Sequence, residues 1–292
     1  YKITVFTPTY NRSHTLERLY NSLKCQTFKD FEWLIVDDGS TDETEVLIKS
    51  FINEKKIFIR YYKQENGGKH RAINHGAELA KGEYFFIVDS DDYLPFNSMG
   101  IINSYLLRLE GNLIGVVGRK VYPDGKQIGI SFKCNEYIAD ILENSYIISH
   151  KGDLAEIVKT EVLIKHPFPD FPGENYCAES LLWNRISKNN NKLIYFDRAI
   201  YFAEYLNDGL SFNSLKNRIK SPNYAILNAS ELLKDNRIGI KVKFKTAINF
   251  WRFSFYTKIS YREKFKMIDN KSLSILCFPL GVIFFFIDKF KK

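Results

Sequence analysis

Tyr84-Phe85-Phe86-Ile87-Val88-Asp89-Ser90-Asp91-Asp92 is the stretch that decides how this chain folds. Five apolar or aromatic residues in a row are too few for a helix and read as a strand buried on both faces. Three carboxylates follow at its carboxyl end. Residues 2–7, 33–37 and 57–62 repeat the pattern upstream as short runs rich in β-branched residues. Between them, 14–26 places Leu16, Leu19, Tyr20 and Leu23 on one helical face, and 41–53 does the same with Val46, Leu47 and Phe51. Residues 72–80 make a third helix, stopped by Gly82. Alternating strands and helices predict an α/β fold, its sheet mainly parallel with right-handed crossovers and flanking helices. Ligands in such sheets sit at the carboxyl ends of the strands. Four polar clusters fall at that edge: Thr9-Tyr10-Asn11-Arg12, Asp37-Asp38-Gly39-Ser40, Asn66-Gly67-Gly68-Lys69 and Asp89-Ser90-Asp91-Asp92.

The 292 residues exceed the usual length of one small domain, and 45% hydrophobic content supports a sizeable core. We expect a domain over 1–212, with 1–100 as its nucleotide-binding half and 101–212 as its acceptor half. The second half mixes short strands at 113–117 and 193–196 with a helix over 178–187. A basic, aromatic-rich helical segment follows over 213–292, with helices at 214–233 and 242–256. Of the net charge of +8, residues 213–292 carry +12, leaving −4 for the rest. A basic tail on an acidic body points to an anionic partner, and composition alone admits lipid headgroups or nucleic acid. The charge-free run 272–287 is short of the roughly 20 residues a spanning helix needs and carries Pro279 and Gly281. It reads as lying in a membrane interface or against a partner. Cys25, Cys134, Cys177 and Cys277 are far apart and read as reduced and cytosolic, and residues 3–6 are too short for a signal-peptide core.

Carboxylates as close as those of Asp89, Asp91 and Asp92 repel one another unless a cation joins them. A hard divalent ion held by one or two of them and by phosphate oxygens would neutralise both partners. The tetrapeptide alone would serve as well for a turn or a helix cap; its place after a buried strand favours the metal. Asp38 could accept a hydrogen bond from an imide N–H such as that of uracil. Tyr10 offers a ring for a base and Arg12 a cation for phosphate. Gly67 and Gly68 open a helix whose free N–H groups, with Lys69 or Arg71, favour an anion.

The ordered set Phe6-Thr7-Pro8-Thr9-Tyr10-Asn11-Arg12, Gln26-Thr27-Phe28, Glu32 to Asp42, Asn66-Gly67-Gly68 through Asn74, Gly82-Glu83-Tyr84 and Asp89-Ser90-Asp91-Asp92 resembles glycosyltransferase family 2, of GT-A fold. The resemblance implies a nucleotide-diphosphate sugar donor, commonly a UDP-sugar, Mn²⁺ or Mg²⁺, and inversion at the anomeric carbon. By motif position it implies Pro8, Thr9, Tyr10 and Asp38 around the base, with Arg12, Gly68, Lys69 and Ser90 nearby. Asp89 and Asp91 would then handle ribose and metal.

An inverting displacement also needs a general base for the acceptor hydroxyl. Family members usually carry an acidic pair, often Glu-Asp, before an apolar helix in the second half; here Ala178-Glu179 takes that place. Glu179 is therefore the expected base, with Glu174 as runner-up. Without the resemblance, Glu179 reads better as an acid that opens the helix, where the macrodipole favours it. His150 could reach the metal or diphosphate, although a lone histidine is more often structural. Trp183 reads as core, and Glu204 to Ser211 resembles a segment that closes over the donor in some relatives.

The expected activity is transfer of a sugar to a glycan or lipid-linked acceptor in surface-polysaccharide synthesis, at the inner face of the cell membrane. Trp251, Phe253, Phe255, Tyr256 and Tyr261 interleave with Lys245, Arg252, Lys258 and Arg262, a pattern expected of a helix on an anionic membrane. The same segment could instead be core or an oligomer contact. A metal-dependent nucleotidyltransferase acting on sugar phosphates is the alternative, but Thr9–Arg12 lacks the glycine richness it needs. A nucleic-acid-binding module would leave the donor-site motifs without purpose, so no nucleic-acid partner is expected.

Overall fold

The computed structural model describes residues 1–130, 132, 134–205, 209 and 212–290. Among them one mixed sheet holds eight strands: β1 (Ile3–Thr9), β2 (Phe31–Asp37), β3 (Ile59–Lys63), β4 (Tyr84–Ile87), β5 (Leu113–Val121), β6 (Glu136–Ala139), β7 (Leu154–Lys159) and β8 (Lys192–Phe202). Their spatial order is β3-β2-β1-β4-β7-β5-β8-β6. β1 to β4 pair in parallel, as expected. Helices α1 (Leu16–Lys24), α2 (Thr44–Glu54) and α3 (Lys69–Leu79) form the crossovers. Every residue of β1 and β2 is buried, because both sheet faces are covered. Polar side chains on them are satisfied inside: Glu32 accepts from Thr4 Oγ1 at 2.7 Å and from the Lys81 N–H at 2.6 Å, and pairs with Arg60 at 3.1 Å.

The second half departs from a parallel continuation. β7 runs antiparallel to both β4 and β5 and joins the two halves into one sheet, while β5 and β8 are parallel. Helices α4 (Ser98–Leu106), α5 (Thr160–Lys165) and α6 (Ser180–Ser187) complete this part.

The single helix expected over 214–233 is two, α7 (Ser214–Lys220) and α8 (Pro222–Leu233). Pro222 cannot donate within a helix but starts one well, so the chain breaks at Ser221. Then come α9 (Ile240–Ser254), α10 (Tyr261–Met267) and α11 (Lys271–Phe290). α11 continues through Pro279 for 20 residues, so by length and composition it is sufficient to cross a membrane, which corrects the reading of 272–287 as too short. Trp251, Phe250 and Phe253 of α9 are buried in a cluster with Ile226, Leu273 and Cys277. This corrects the expectation of an interfacial α9, since its largest aromatics are core. α8 faces two ways: Ile226 belongs to that cluster, while Tyr224 packs into the core beneath the sheet.

His70 on α3 meets Tyr224 across this junction, Nε2 to Oη, at 2.9 Å. The Tyr224 hydroxyl donates to the Pro169 carbonyl and accepts from the Phe171 N–H, so His70 must donate from Nε2. Its Nδ1 is then a buried acceptor without a partner among the described residues. Burial, with Arg71 adding to it, lowers the His70 pKa to about 4.

Candidate active site

The four polar loops converge on one cleft of about 970 Å³, lined by Pro8, Thr9, Tyr10, Arg12, Asp38, Gly68, Lys69, Asp89, Ser90, Asp91 and Glu179. That volume lies near the top of the roughly 300–1,000 Å³ usual for ligand sites, enough for a large donor and the reacting end of an acceptor. All eleven were expected from the sequence; Gly67, Arg71 and Glu174, also candidates there, do not line the cleft.

The first two loops brace each other. Asn11 takes a left-handed conformation, φ 52°, which asparagine tolerates. Its side-chain carbonyl accepts from the Thr41 N–H at 2.8 Å, and its own N–H donates to Ser40 Oγ at 2.8 Å. Tyr10 is thereby left 48% exposed at the cleft, as a stacking surface must be. Asp37 is structural, accepting from the Ser40 N–H and the Tyr61 hydroxyl.

Asp38 is buried and occupied. It accepts from Gln64 Nε2 at 2.8 Å, from the Gly67 N–H at 2.9 Å and from the Gly68 N–H at 2.7 Å. A carboxylate has about four acceptor positions, so one remains for a ligand. The carboxylate thus holds the glycine turn in place. Gly68 has φ 96°, and an added Cβ would collide with the Asn175 carbonyl. Only glycine lets the loop before α6 close down on the start of α3.

α3 begins at Lys69, three residues earlier than expected, so Lys69 sits in its first turn. Its ammonium nitrogen lies 2.5 Å from Asp89 Oδ1 and 2.7 Å from Glu179 Oε1. Burial works against the Lys69 charge, but Asp89 and Glu179 outweigh it and hold its pKa well above the ordinary range. One cation therefore bridges the end of β4 and the entrance of α6.

At the end of β4 the Val88 N–H donates to the Phe6 carbonyl, bringing Asp89 beside Pro8. The three carboxylates then diverge in environment. Asp92 is buried and accepts from the Tyr201 hydroxyl at 2.7 Å and the Glu204 N–H at 2.9 Å, a structural tie to β8. Burial and the nearby Asp89 raise its pKa to about 7. Burial would raise Asp89 too, but Lys69 and Lys120 hold it below the ordinary carboxylate value. Asp91 is pushed up by burial and by Asp89.

Residues 4–133 match the family described as Glycosyl transferase family 2. The GalNAc(5)-diNAcBac-PP-undecaprenol beta-1,3-glucosyltransferase of Campylobacter jejuni is 26% identical over 94% of this chain and 89% of its own length. Residues 4–133 are a glycosyltransferase family 2 domain. Staphylococcus aureus TarS 1-349, solved in complex with UDP, superposes with a TM-score of 0.66 at 20% identity, over 98% of this chain and 89% of that one. The mannosyltransferase PcManGT from Pyrobaculum calidifontis, solved with GDP-Man and Mn²⁺, gives 0.60 at 16% identity, over 99% and 88%. At such identities these two structures establish the GT-A fold.

As a glycosyltransferase the chain carries a donor set that suits one kind of metal site. Among the described residues no cluster of three or more His, Cys, Asp or Glu could cage an ion. Asp89 and Asp91, the second pushed up by burial and by Asp89, fit an ion that takes its remaining ligands from substrate phosphates. Glu174, the runner-up base, is buried and engaged elsewhere. It accepts from the Asn223 N–H at 3.0 Å, the Asn223 amide at 2.7 Å and the Tyr224 N–H at 3.2 Å, which caps α8. His150 does line the cleft, its ring edge on Phe132 and its Nε2 unpartnered among the described residues. Trp183 of α6 is 8% exposed, packed in the core with one edge at the cleft wall. Of Glu204 to Ser211, residues 206–208, 210 and 211 lie outside the described residues.

Three site-forming residues escaped the sequence reading. Lys120 of β5 lines the cleft with its ammonium over the Tyr201 ring at 4.2 Å, and against burial Asp89 and Asp92 raise its pKa. Arg18 of α1 bonds the Asp91 carbonyl at 2.6 Å and Glu204 at 2.6 Å. Glu156 of β7 lines the floor, where burial lifts its pKa to about 8.

Proposed function

We propose that this glycosyltransferase moves a sugar, with inversion at the anomeric carbon, from a UDP-sugar to a hydroxyl of a glycan or lipid-linked acceptor in surface-polysaccharide synthesis. The supporting observation is the shared ammonium of Lys69, 2.5 Å from Asp89 and 2.7 Å from Glu179. It ties a donor-side carboxylate and the candidate base to one cation within the same cleft, which supports donor binding and acceptor deprotonation at neighbouring points. Tyr10 stacks on the base, and Asp38, beside Pro8 and Thr9, accepts an imide N–H with its remaining position. The UDP bound by TarS and the PP-undecaprenol substrate of the Campylobacter relative support these substrate classes. They also motivate the proposed setting, the cytoplasm at the inner face of the membrane.

In the reaction Glu179 takes the proton of the acceptor hydroxyl, and the freed oxygen forms the new bond to the anomeric carbon. The bond from that carbon to the β-phosphate oxygen breaks, its electrons leaving with UDP. Lys69, Lys120 and Arg12 offset the charge that grows on the diphosphate. Asp91, with Asp89 beside it, would hold Mn²⁺ or Mg²⁺, which when bound supplies further charge for the leaving group. Residues 1–100 serve the donor, 101–212 the acceptor, and 213–292 form the appended helical segment.

The test is release of nucleotide diphosphate from a panel of nucleotide sugars, with Mn²⁺ or with a chelator. Asp91→Ala should lose metal dependence and turnover together. Glu179→Gln should bind UDP as the parent does and lose transfer by about 10²–10⁴-fold, the usual worth of a general base. A Glu179→Gln enzyme of full activity would remove that residue from the mechanism.

A further inference from the structure

α11 is apolar on its outward face as well as its inward one. Inward, Leu273 and Cys277 join the cluster around Trp251, Ser274 accepts from the Trp251 indole N–H, Gly281 lies where a Cβ would collide with Trp251, and Asp288 accepts from Arg252 Nε at 2.6 Å. The outward face carries Ile275, Leu276, Leu280, Ile283, Phe286 and Ile287, all exposed. A helix of a water-soluble surface carries charged and polar residues on that side. Rotating the helix would not repair it, because the indole bonds, the close approach at Gly281 and the Arg252–Asp288 pair all fix its angle. Leu276, Leu280, Ile283, Ile287 and Phe290 continue as one stripe about 20 Å long at 1.5 Å per residue. Such a stripe is larger than the scattered apolar residues an ordinary surface carries.

Charge selects what covers it. Lys271 opens the helix and Lys289 lies in its last turn, and both are exposed. Lys258, also exposed, lies two residues beyond Tyr256, whose ring meets Phe285 of α11 at 4.9 Å. The acid on α11, Asp288, is buried against Arg252. Residues 213–292 hold 17 Lys or Arg against 5 Asp or Glu, so two copies meeting face to face would bring like charges together. An anionic lipid surface instead receives the apolar stripe among its acyl chains while the lysines reach its headgroups. We propose that the outward face of α11 is a lipid-docking surface that holds the enzyme flat on an anionic bilayer, parallel to it and without crossing it. The proposal stands on α11 alone and is independent of which sugar or acceptor the cleft takes.

Vesicle co-sedimentation of the full chain tests it, with vesicles of phosphatidylcholine alone or mixed with phosphatidylglycerol. The wild type should sediment with the mixed vesicles and lose about tenfold in binding without phosphatidylglycerol or in high salt. Leu280→Ser with Ile283→Ser and Ile287→Ser should abolish sedimentation while donor hydrolysis in detergent persists, which shows the cleft intact. Lys258→Glu with Lys289→Glu, which leaves the apolar stripe whole, should weaken binding to the mixed vesicles only. The proposal is overturned if the wild type ignores the mixed vesicles. It is equally overturned if the serine variant converts a defined oligomer to a monomer without altering vesicle binding, or if alkaline carbonate fails to release the protein from membranes, the mark of a spanning helix.

Discussion

Lys69 gives the cleft its order at the level of single residues, and its neighbours explain which acids stay free for chemistry. Asp37, Asp92 and Glu174 are each consumed by structure, whereas Asp89 and Glu179 share a cation. Glu156 is different, a buried acid whose pKa rises from 4.5 to about 8 through burial and the nearness of Glu179 and Asp153, against the pull of Lys120. The folded state therefore keeps its proton to higher pH than the unfolded chain does. Its share of stability is complete below pH 4.5 and is lost as pH rises toward 8. Glu156→Gln, which copies the neutral acid, should match the wild-type melting temperature near pH 4.5 and exceed it at pH 8. Equal melting temperatures at both would show that Glu156 is not held neutral. The cluster Asp89 to Asp92 was legible in the sequence because its carboxylates are consecutive and follow a buried run. Lys120, Arg18 and Glu156 were not, because each is a lone residue of ordinary type, delivered to the cleft by a different element.

Elements, in turn, were legible where their period was unambiguous. β4 is an unbroken apolar run, β2 carries one from Trp33 to Val36, β1 sets Ile3, Val5 and Phe6 among threonines, and α1 buries Leu16, Leu19, Tyr20 and Leu23 as its spacing demands. β7 was not found, because Leu154 to Lys165 mixes Glu156, Lys159 and Glu161 with Leu and Ile in a pattern that suits a helix as well. Pairing with β4 on one side and β5 on the other overrides that preference. The junction of α3 with the loop before α6 depends on one glycine. Gly68→Ala combines a disfavoured φ of 96° with a clash against the Asn175 carbonyl. It should cost about 1–3 kcal/mol in folding stability and weaken UDP binding, because Lys69 and Glu179 part. Unchanged melting and unchanged UDP affinity would show that the junction yields.

At the scale of the whole molecule, one tie between the tail and the sheet domain is the bond from His70 of α3 to Tyr224 of α8. His70 is buried there with its pKa lowered from 6.5 to about 4, so the unfolded chain binds a proton that the folded one refuses. That contribution to stability is complete above pH 6.5 and falls as pH drops toward 4. His70→Phe should flatten this slope in thermal melts taken across that window, and an unaltered slope would place the acid sensitivity elsewhere. α8 itself belongs to both cores and lends its first N–H groups to Glu174. A chain ending at residue 212 should therefore lose transfer to a soluble acceptor as well as any affinity for vesicles, and a fully active truncation would contradict this. The capped start of α8 makes the tail a retaining wall rather than a detachable handle. A relative that exchanged its tail for another anchor would inherit an unsatisfied buried glutamate behind its own catalytic loop. Tail and cleft are in that sense one inheritance, and a chimaera that joins them at the loop between β8 and α7 must carry Asn223 and Tyr224 across with the graft.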